Sequence, residues 1–318
     1  MKMLSYIIVI LAISVGFLWV IANKAETQAE EKTPPVGQFV NIDGQKIHVQ
    51  VTGQGPPLVL IHGAGGNIQD MTFELAPAII DRFTLIMFDR PGHGHTPILN
   101  QNGESLTDQA TLISGAIRAL GYEKVYVLGQ SFGGSVALRM TLDAPDMVAG
   151  LVLVSAPSNQ WESSLGTLYA LTANRWSGPF MRLLIASVTP KSVITGSLEQ
   201  IFEPQAVPQG YAEHIGVGLA LRRSQQMANA LQVRALKSQI GLMIPRYSEI
   251  AIPVEAIHGA VDTIVPKHIH TDILADQIAD ITVTTLDGVG HMPHHTHTNK
   301  VVVLIDRLHE RVGLKPAE

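Results

Sequence analysis

Residues 3–22 form a 20-residue apolar run without one charged side chain, directly after Lys2. At about 1.5 Å rise per residue, a helix over this run spans about 30 Å, the thickness of a bilayer's hydrocarbon core. Val20-Ile21-Ala22 also passes as a signal-peptide cleavage site, but signal h-regions usually run only about 7–15 residues, which favours an uncleaved transmembrane anchor over residues 1–22. A buried core helix seldom stays uncharged on every face for so long. Lys2 precedes the run and Lys24 and Lys32 follow it, so the basic residues do not set its orientation. An extracytoplasmic body is expected from the run's likeness to an export signal, with secretion after cleavage as the alternative. Residues 23–35 are charged, Ala-rich and end in Pro-Pro, and residues 23–37 read as a solvated linker.

Beyond the linker the period changes. Segments 39–42 and 46–51 flank Asp43-Gly44, a hairpin signal. Short, nearly continuous apolar runs follow at 58–61, 84–88, 124–128 and 151–154, the pattern of strands buried on both faces of a parallel sheet. Helical segments fall between them at 69–80, 106–120 and 132–143. Alternation of this kind predicts a doubly wound α/β sheet covered by helices. It stops after Pro157. Residues 158–250 are mostly helical in pattern, contain Trp161, Trp176, Met181, Met227 and Met243, and carry eight Arg or Lys against five Glu. Strand signals resume at 253–257 and 281–286, and a helix follows at 299–312. The expected organisation is one core, 38–157 and 251–318, interrupted by a helical insertion, 158–250. No internal repeat is present.

Composition narrows this further. The chain has 318 residues, 46% hydrophobic and 15% charged, against about 25% charged in an average soluble domain, which excludes a disordered chain. A formal charge of -5 gives no reason to expect nucleic-acid binding. Zero cysteines exclude disulfides, thiolate metal sites and a cysteine nucleophile.

Gly129-Gln130-Ser131-Phe132-Gly133 matches G-x-S-x-G between an apolar strand and a helix, the context that motif requires. Gly129 and Gly133 allow close backbone approach around Ser131, and Gly134 extends the thin surface. His62-Gly63-Ala64-Gly65-Gly66 follows the 58–61 strand, where an oxyanion-binding loop belongs. The backbone N–H groups of Ala64 and Phe132 are the expected donors, shaped by Gly63 and Gly65, with His62 bracing the loop. Neither G-x-G-x-x-G nor a Walker lysine is present, which disfavours a phosphate loop. A serine nucleophile needs a base and an acid to orient it. Asp262 and His291 each follow a strand, so both emerge at the carboxyl edge of the sheet with Ser131. His294, His295 and His297 crowd a loop and helix start and are expected as solvated residues, not metal ligands. No metal or organic cofactor is expected.

With HGAGG (62–66), DRPGHG (89–94), GQSFGG (129–134), Asp262 and GVGH (288–291) in this order, residues 38–312 resemble the α/β-hydrolase superfamily, in its serine-nucleophile branch with a helical cap. The resemblance implies an eight-stranded, mostly parallel sheet with the insertion as cap. Asp89 and His93 then serve structure, and Asp89-Arg90 is a candidate for substrate positioning. Relatives that open epoxides or remove halides use a carboxylate where this chain has Ser131, which disfavours those activities. The implied function is ester hydrolysis by a Ser131–Asp262–His291 triad through an acyl-enzyme, on a small acyl substrate with an apolar portion. Carbon–carbon, lactone or amide cleavage and perhydrolysis use the same triad. A membrane-tethered, non-catalytic binding protein, and an enzyme of lipid-borne or pigment-like substrates, are the other readings.

Overall fold

The computed structural model describes residues 2–99, 105–162 and 166–316. The chain opens with one long helix, α1 (Lys2–Lys32), and a hairpin, β1 (Gln38–Ile42) and β2 (Gln45–Gly53). Then β3 (Pro57–Ile61), α2 (Ile68–Phe73), α3 (Leu75–Ile79), β4 (Thr84–Phe88), α4 (Leu106–Ala119), β5 (Val125–Gln130), α5 (Phe132–Asp143) and β6 (Val148–Val154) alternate. Six helices follow: α6 (Thr167–Ala173), α7 (Gly178–Val188), α8 (Lys191–Phe202), α9 (Tyr211–His214), α10 (Val217–Ala220) and α11 (Arg223–Met243). The chain returns to the sheet through β7 (Val254–Gly259), α12 (Thr271–Ala275), β8 (Ile281–Leu286), α13 (Pro293–Thr296) and α14 (Thr298–Val312).

All eight strands join one sheet in the order β1-β2-β4-β3-β5-β6-β7-β8. Among the described residues, only the β1–β2 and β2–β4 pairs are antiparallel. The continuous apolar runs have a direct cause. In β3, Val59 and Ile61 face one layer while Leu58 and Leu60 face the other, because successive strand residues point to opposite faces. One layer holds α4, α5 and part of α11, and the other holds α2, α3 and α14. Each fully buried Leu, Ile or Val contributes about 1.5–3 kcal/mol through apolar area removed from water, so a strand with no polar face is favourable only when covered on both sides.

Two expectations require correction. The helix predicted over 69–80 is broken into α2 and α3 at Glu74; Pro77 lacks an N–H and its ring would meet the Phe73 carbonyl four residues back. Of the expected linker 23–37, residues 23–32 are helix and only 33–37 run free of secondary structure. Helix α1 runs through Ala22 to Lys32 without interruption and docks on the cap. Glu26 accepts hydrogen bonds from Arg223, Glu30 pairs with Arg222, and Ala29 packs on Gly218. Of the charges read as solvating, Glu26 and Glu30 are docking contacts, while Lys24, Glu31 and Lys32 stay exposed.

Strand β7, which leads towards Asp262, is clamped to α14 by charge. Glu255 is fully buried and is held by Arg307 and Arg311, whose side chains remain about a third exposed. Arg307→Met with Arg311→Met strands a buried carboxylate and is expected to cost about 3 kcal/mol or more. Glu255→Gln costs less, because both guanidinium groups turn to water. Thermal unfolding of the three proteins checks the ranking, and the reverse order overturns it.

Candidate active site

Ser131 is the single residue between β5 and α5, at φ 49 and ψ -125. A non-glycine residue in this region costs on the order of 1–3 kcal/mol and persists only where its surroundings determine it. Here the Ser131 N–H donates to the Val154 carbonyl at 2.9 Å, and the Ser131 carbonyl accepts from Gly134 at 2.8 Å. The backbones crowd so closely that a Cβ on Gly129 would lie 2.4 Å from the Gly133 carbonyl oxygen, and one on Gly133 would lie 2.2 Å from that of Ile61. The G-x-S-x-G glycines are therefore fixed by close approach.

The loops after β7 and β8 bring Asp262 and His291 to this turn. Ser131 Oγ lies 3.0 Å from His291 Nε2, and His291 Nδ1 lies 2.7 Å from Asp262 Oδ2. A carboxylate only accepts, so Nδ1 carries the proton and Nε2 is left to accept from the serine hydroxyl. Asp262 Oδ1 accepts from the N–H groups of Ile264 and Val265, both at 2.9 Å. Buried His258 stands 3.2 Å from Asp262 Oδ2 and spans Thr271 and the Val265 carbonyl. Burial alone would raise the Asp262 carboxyl, but hydrogen bonds from His258 and His291 outweigh it and hold the group below the ordinary carboxylate range. The arrangement can draw a proton from Ser131 while keeping a compensating charge behind the imidazole.

The Gly-rich loop of residues 62–66 lies against Ser131: a Cβ on Gly63 would approach Ser131 Cβ to 3.1 Å. His62 Nδ1 donates to the Gly63 carbonyl and Nε2 accepts from the Arg90 N–H. Burial, then the Arg90 charge, pushes this ring down to about 4, so it is a neutral brace. Arg90 donates to the carbonyls of His62 and Gly63, to Gln109 and to Gln232, and stacks 4.4 Å over the Phe132 ring. It is fully buried beneath the loop and does not line the cavity; Asp89 is equally occupied, by His48 and the N–H groups of Ile68 and His95. The expected role of Asp89-Arg90 in positioning substrate is thus corrected to supporting the loop. Two cap residues that sequence reasoning missed also hold it, Asn229 accepting from the Gly65 N–H and Gln225 donating to the Gly65 carbonyl, while a third, Gln232, accepts from Arg90 and donates to the Pro91 carbonyl. Only their position on α11, polar side chains facing the core, could have signalled them.

A cavity of about 360 Å³ opens over Ser131 and His291, with Gly63, Ala64 and Gly65 on one side and apolar cap residues such as Ile194, Leu198 and Ile201 on the other. At its floor the histidine expectation fails. His294 and His295 are buried, because Asp70 takes the Nε2 atoms of both and the Tyr211 hydroxyl as well, and His297 is half-buried beside Thr296. Among the described residues, Asp70, His294 and His295 are the group whose ligand atoms converge, within 4.8 Å. Both Nδ1 atoms are buried without a partner. A metal on the Nε2 atoms would leave each Nδ1 as an N–H donor lacking an acceptor, contrary to how metal-bound histidines are supported. The cluster fits a hydrogen-bonded carboxylate.

Comparison with known proteins adds family context. The family described as alpha/beta hydrolase fold matches residues 56–298. The chain is 35% identical over 133 residues to the dihydrolipoyllysine-residue acetyltransferase component of the acetoin cleaving system of Cupriavidus necator. That match covers 41% of this chain and 35% of the relative, so the chain spans about a third of that protein's length. It is 25% identical over 268 residues to pimeloyl-[acyl-carrier protein] methyl ester esterase of Aeromonas hydrophila, covering 82% of this chain and 98% of that one. An esterase structure from Exiguobacterium antarcticum superposes with a TM-score of 0.68 at 21% identity, over 86% of this chain and 99% of that one.

Burial pushes three rings, His62, His270 and His294, each down to about 4 from 6.5. The unfolded chain takes up these protons near 6.5 and the folded chain only near 4. Stability is therefore complete above about 6.5 and falls as pH drops towards 4, by several kcal/mol for the three together. Melting temperatures between pH 7 and pH 4 measure this, and a flat profile overturns the neutral assignment.

Proposed function

This chain belongs to the α/β-hydrolase fold family, and on that premise we propose that it is a serine hydrolase cleaving esters through an acyl-enzyme. The carrying observation is the contact chain from Ser131 Oγ through His291 to Asp262, at 3.0 and 2.7 Å. Ester-cleaving names among the relatives favour an ester over the other bonds.

In this reading His291 Nε2 takes the hydroxyl proton as Ser131 Oγ bonds to the substrate carbonyl carbon, and the carbonyl electron pair moves to oxygen. Phe132 is the first residue of α5, where N–H groups have no intrahelical acceptor. Its N–H and that of Ala64 receive the oxyanion. The carbon–oxygen bond to the leaving group breaks, and that alkoxide takes the proton from His291. Water then attacks the acyl-enzyme by the same route, losing its proton to His291, which returns it to Ser131 as the acid departs. Asp262 keeps its charge throughout and holds the imidazole in one tautomer. The apolar cap wall of the cavity suits a substrate with an apolar acyl or alcohol portion.

We further read residues 3–22 of α1 as a membrane anchor, with the catalytic body on the extracytoplasmic side. The run carries no charged side chain, and its residues 3–17 are all exposed. Leu18 and Ala22 pack on the cap in the uncut helix, which favours retention over removal.

A fluorophosphonate probe is expected to label the native chain and not Ser131→Ala. His291→Ala should lower hydrolysis of p-nitrophenyl esters by several orders of magnitude, and Asp262→Asn by roughly 10⁴-fold. Equal labelling of the native and Ser131→Ala proteins, or turnover that survives His291→Ala, would sink the mechanism.

A further inference from the structure

The side chains of residues 2–17 of α1 are all exposed, and contact with the body begins at Leu18 and Ala22, which pack on Leu183 and Ala186 of α7. Residues 3–17 account for about 22 Å of bare apolar helix, and a bilayer core needs about 30 Å. The missing 8 Å or so lies in the stretch where α1 runs beside α7. An anchored α1 thus carries α7 into the boundary between headgroups and acyl chains, at the 5–10 Å depth that amphipathic surface helices occupy.

The side chains of α7 agree with that depth. Phe180, Leu184 and Val188 recur every fourth residue and form one stripe beside the α1 contact. Phe180 is 50% exposed and Val188 54%. Just before the helix, Trp176 is 79% exposed with the Arg175 guanidinium 4.6 Å over its ring, the pairing of aromatic and cation that suits a membrane interface. Residues 167–198 contain Arg175, Arg182 and Lys191 and no Asp or Glu, which complements an anionic lipid surface. The same helices wall the cavity, through Leu168 of α6, Ile185 of α7 and Val193 of α8.

We propose that the α6–α8 face of the cap docks on the bilayer that holds α1, so that the cavity takes the acyl chain of an ester residing in that bilayer. The occupant of the face is the lipid surface, reached because α1 fixes its depth. The inference rests on the esterase reading for the bond cleaved, and on the anchor reading for the docking.

The chain has no cysteine, so single cysteines report cleanly on position. Full-length Phe180→Cys carrying an environment-sensitive nitrobenzoxadiazole label is reconstituted in phosphatidylcholine vesicles, with and without phosphatidylglycerol. A label at Asp43→Cys, in the β1–β2 turn, is the reference. The Phe180 label should shift to the blue and the Asp43 label should not. Solvent-like emission at both positions overturns docking. A shift that grows with the protein-to-lipid ratio assigns the face to a second copy of the chain and overturns it equally. Phe180→Asp should lower hydrolysis of 4-methylumbelliferyl oleate held in the vesicles by roughly tenfold, the equivalent of losing one interfacial aromatic contact. Phe180 lies outside the cavity wall, so p-nitrophenyl butyrate turnover in water should stay unchanged and shows that the variant is folded. Equal loss on both esters, or loss on neither, overturns delivery from the bilayer. If the native protein hydrolyses neither ester, the esterase reading has failed, and the label alone still decides the docking.

Discussion

A one-residue turn joins β5 to α5, and much of the surrounding structure exists to keep it. Ser131 adopts a positive φ that costs energy locally. It is held there because Gly129, Gly133 and the Ile61 carbonyl leave no space for a relaxed alternative. That compression requires β3 and β6 on either side of β5, each in parallel register with it. It also requires both faces of the strands to be covered, since a half-exposed sheet would have no force pressing α5 onto the loop of residues 62–66. The double coverage of the sheet and the strain at one serine are two ends of the same constraint.

What the sequence disclosed follows from how local each determinant is. The G-x-S-x-G turn, the loop of residues 62–66 and the strands were legible because period, glycine and neighbouring apolar runs lie within a few residues of one another. Asp262 and His291 were legible because each directly follows a strand, and strands in one parallel sheet end on one edge. The rest depended on partners far along the chain. His258 stood in the motif that drew attention to Asp262, yet its own contact with that carboxylate appears only when the loop folds back. His294 and His295 looked solvated because Asp70, which buries them, is more than 220 residues away. Residues 23–32 looked like a linker because charged residues in sequence carry no sign of whether Arg222 and Arg223 await them. The break at Glu74, by contrast, was announced by Pro77 and could have been read.

Three buried aspartates are handled in one way. Asp70, Asp89 and Asp262 are each withdrawn from water, which alone would favour their neutral forms. Each is surrounded by histidine, hydroxyl or backbone donors that favour the carboxylate more strongly, and all three are held below the ordinary range. The donors come from different elements each time. Asp262 ties the β7 loop to the β8 loop, Asp89 ties β2 to α2, and Asp70 ties α2 to α9 and α13. Placing a fixed negative charge where several elements meet makes each meeting specific, since losing any one donor leaves a buried carboxylate underpaired.

The cap is joined to the site at two depths, and this shapes what the cavity can accept. On its inner side α11 reaches the loop of residues 62–66 through Gln225 and Asn229, so movement of α11 would move the N–H groups proposed to receive an oxyanion. On its outer side α7 grips α1, and α10 packs against the same helix further along. The cavity wall between them belongs to helices whose position is set jointly by α1 and by the loop of residues 62–66. Such a wall cannot swing freely to admit a bulky solute from water without disturbing one attachment or the other. The proposed acyl chain, entering along α6–α8, would ask for less, because a slender apolar group passes between side chains that are already apolar and already partly exposed. The geometry that keeps the loop of residues 62–66 in place is therefore the same geometry that suits the acyl guest proposed for the cavity.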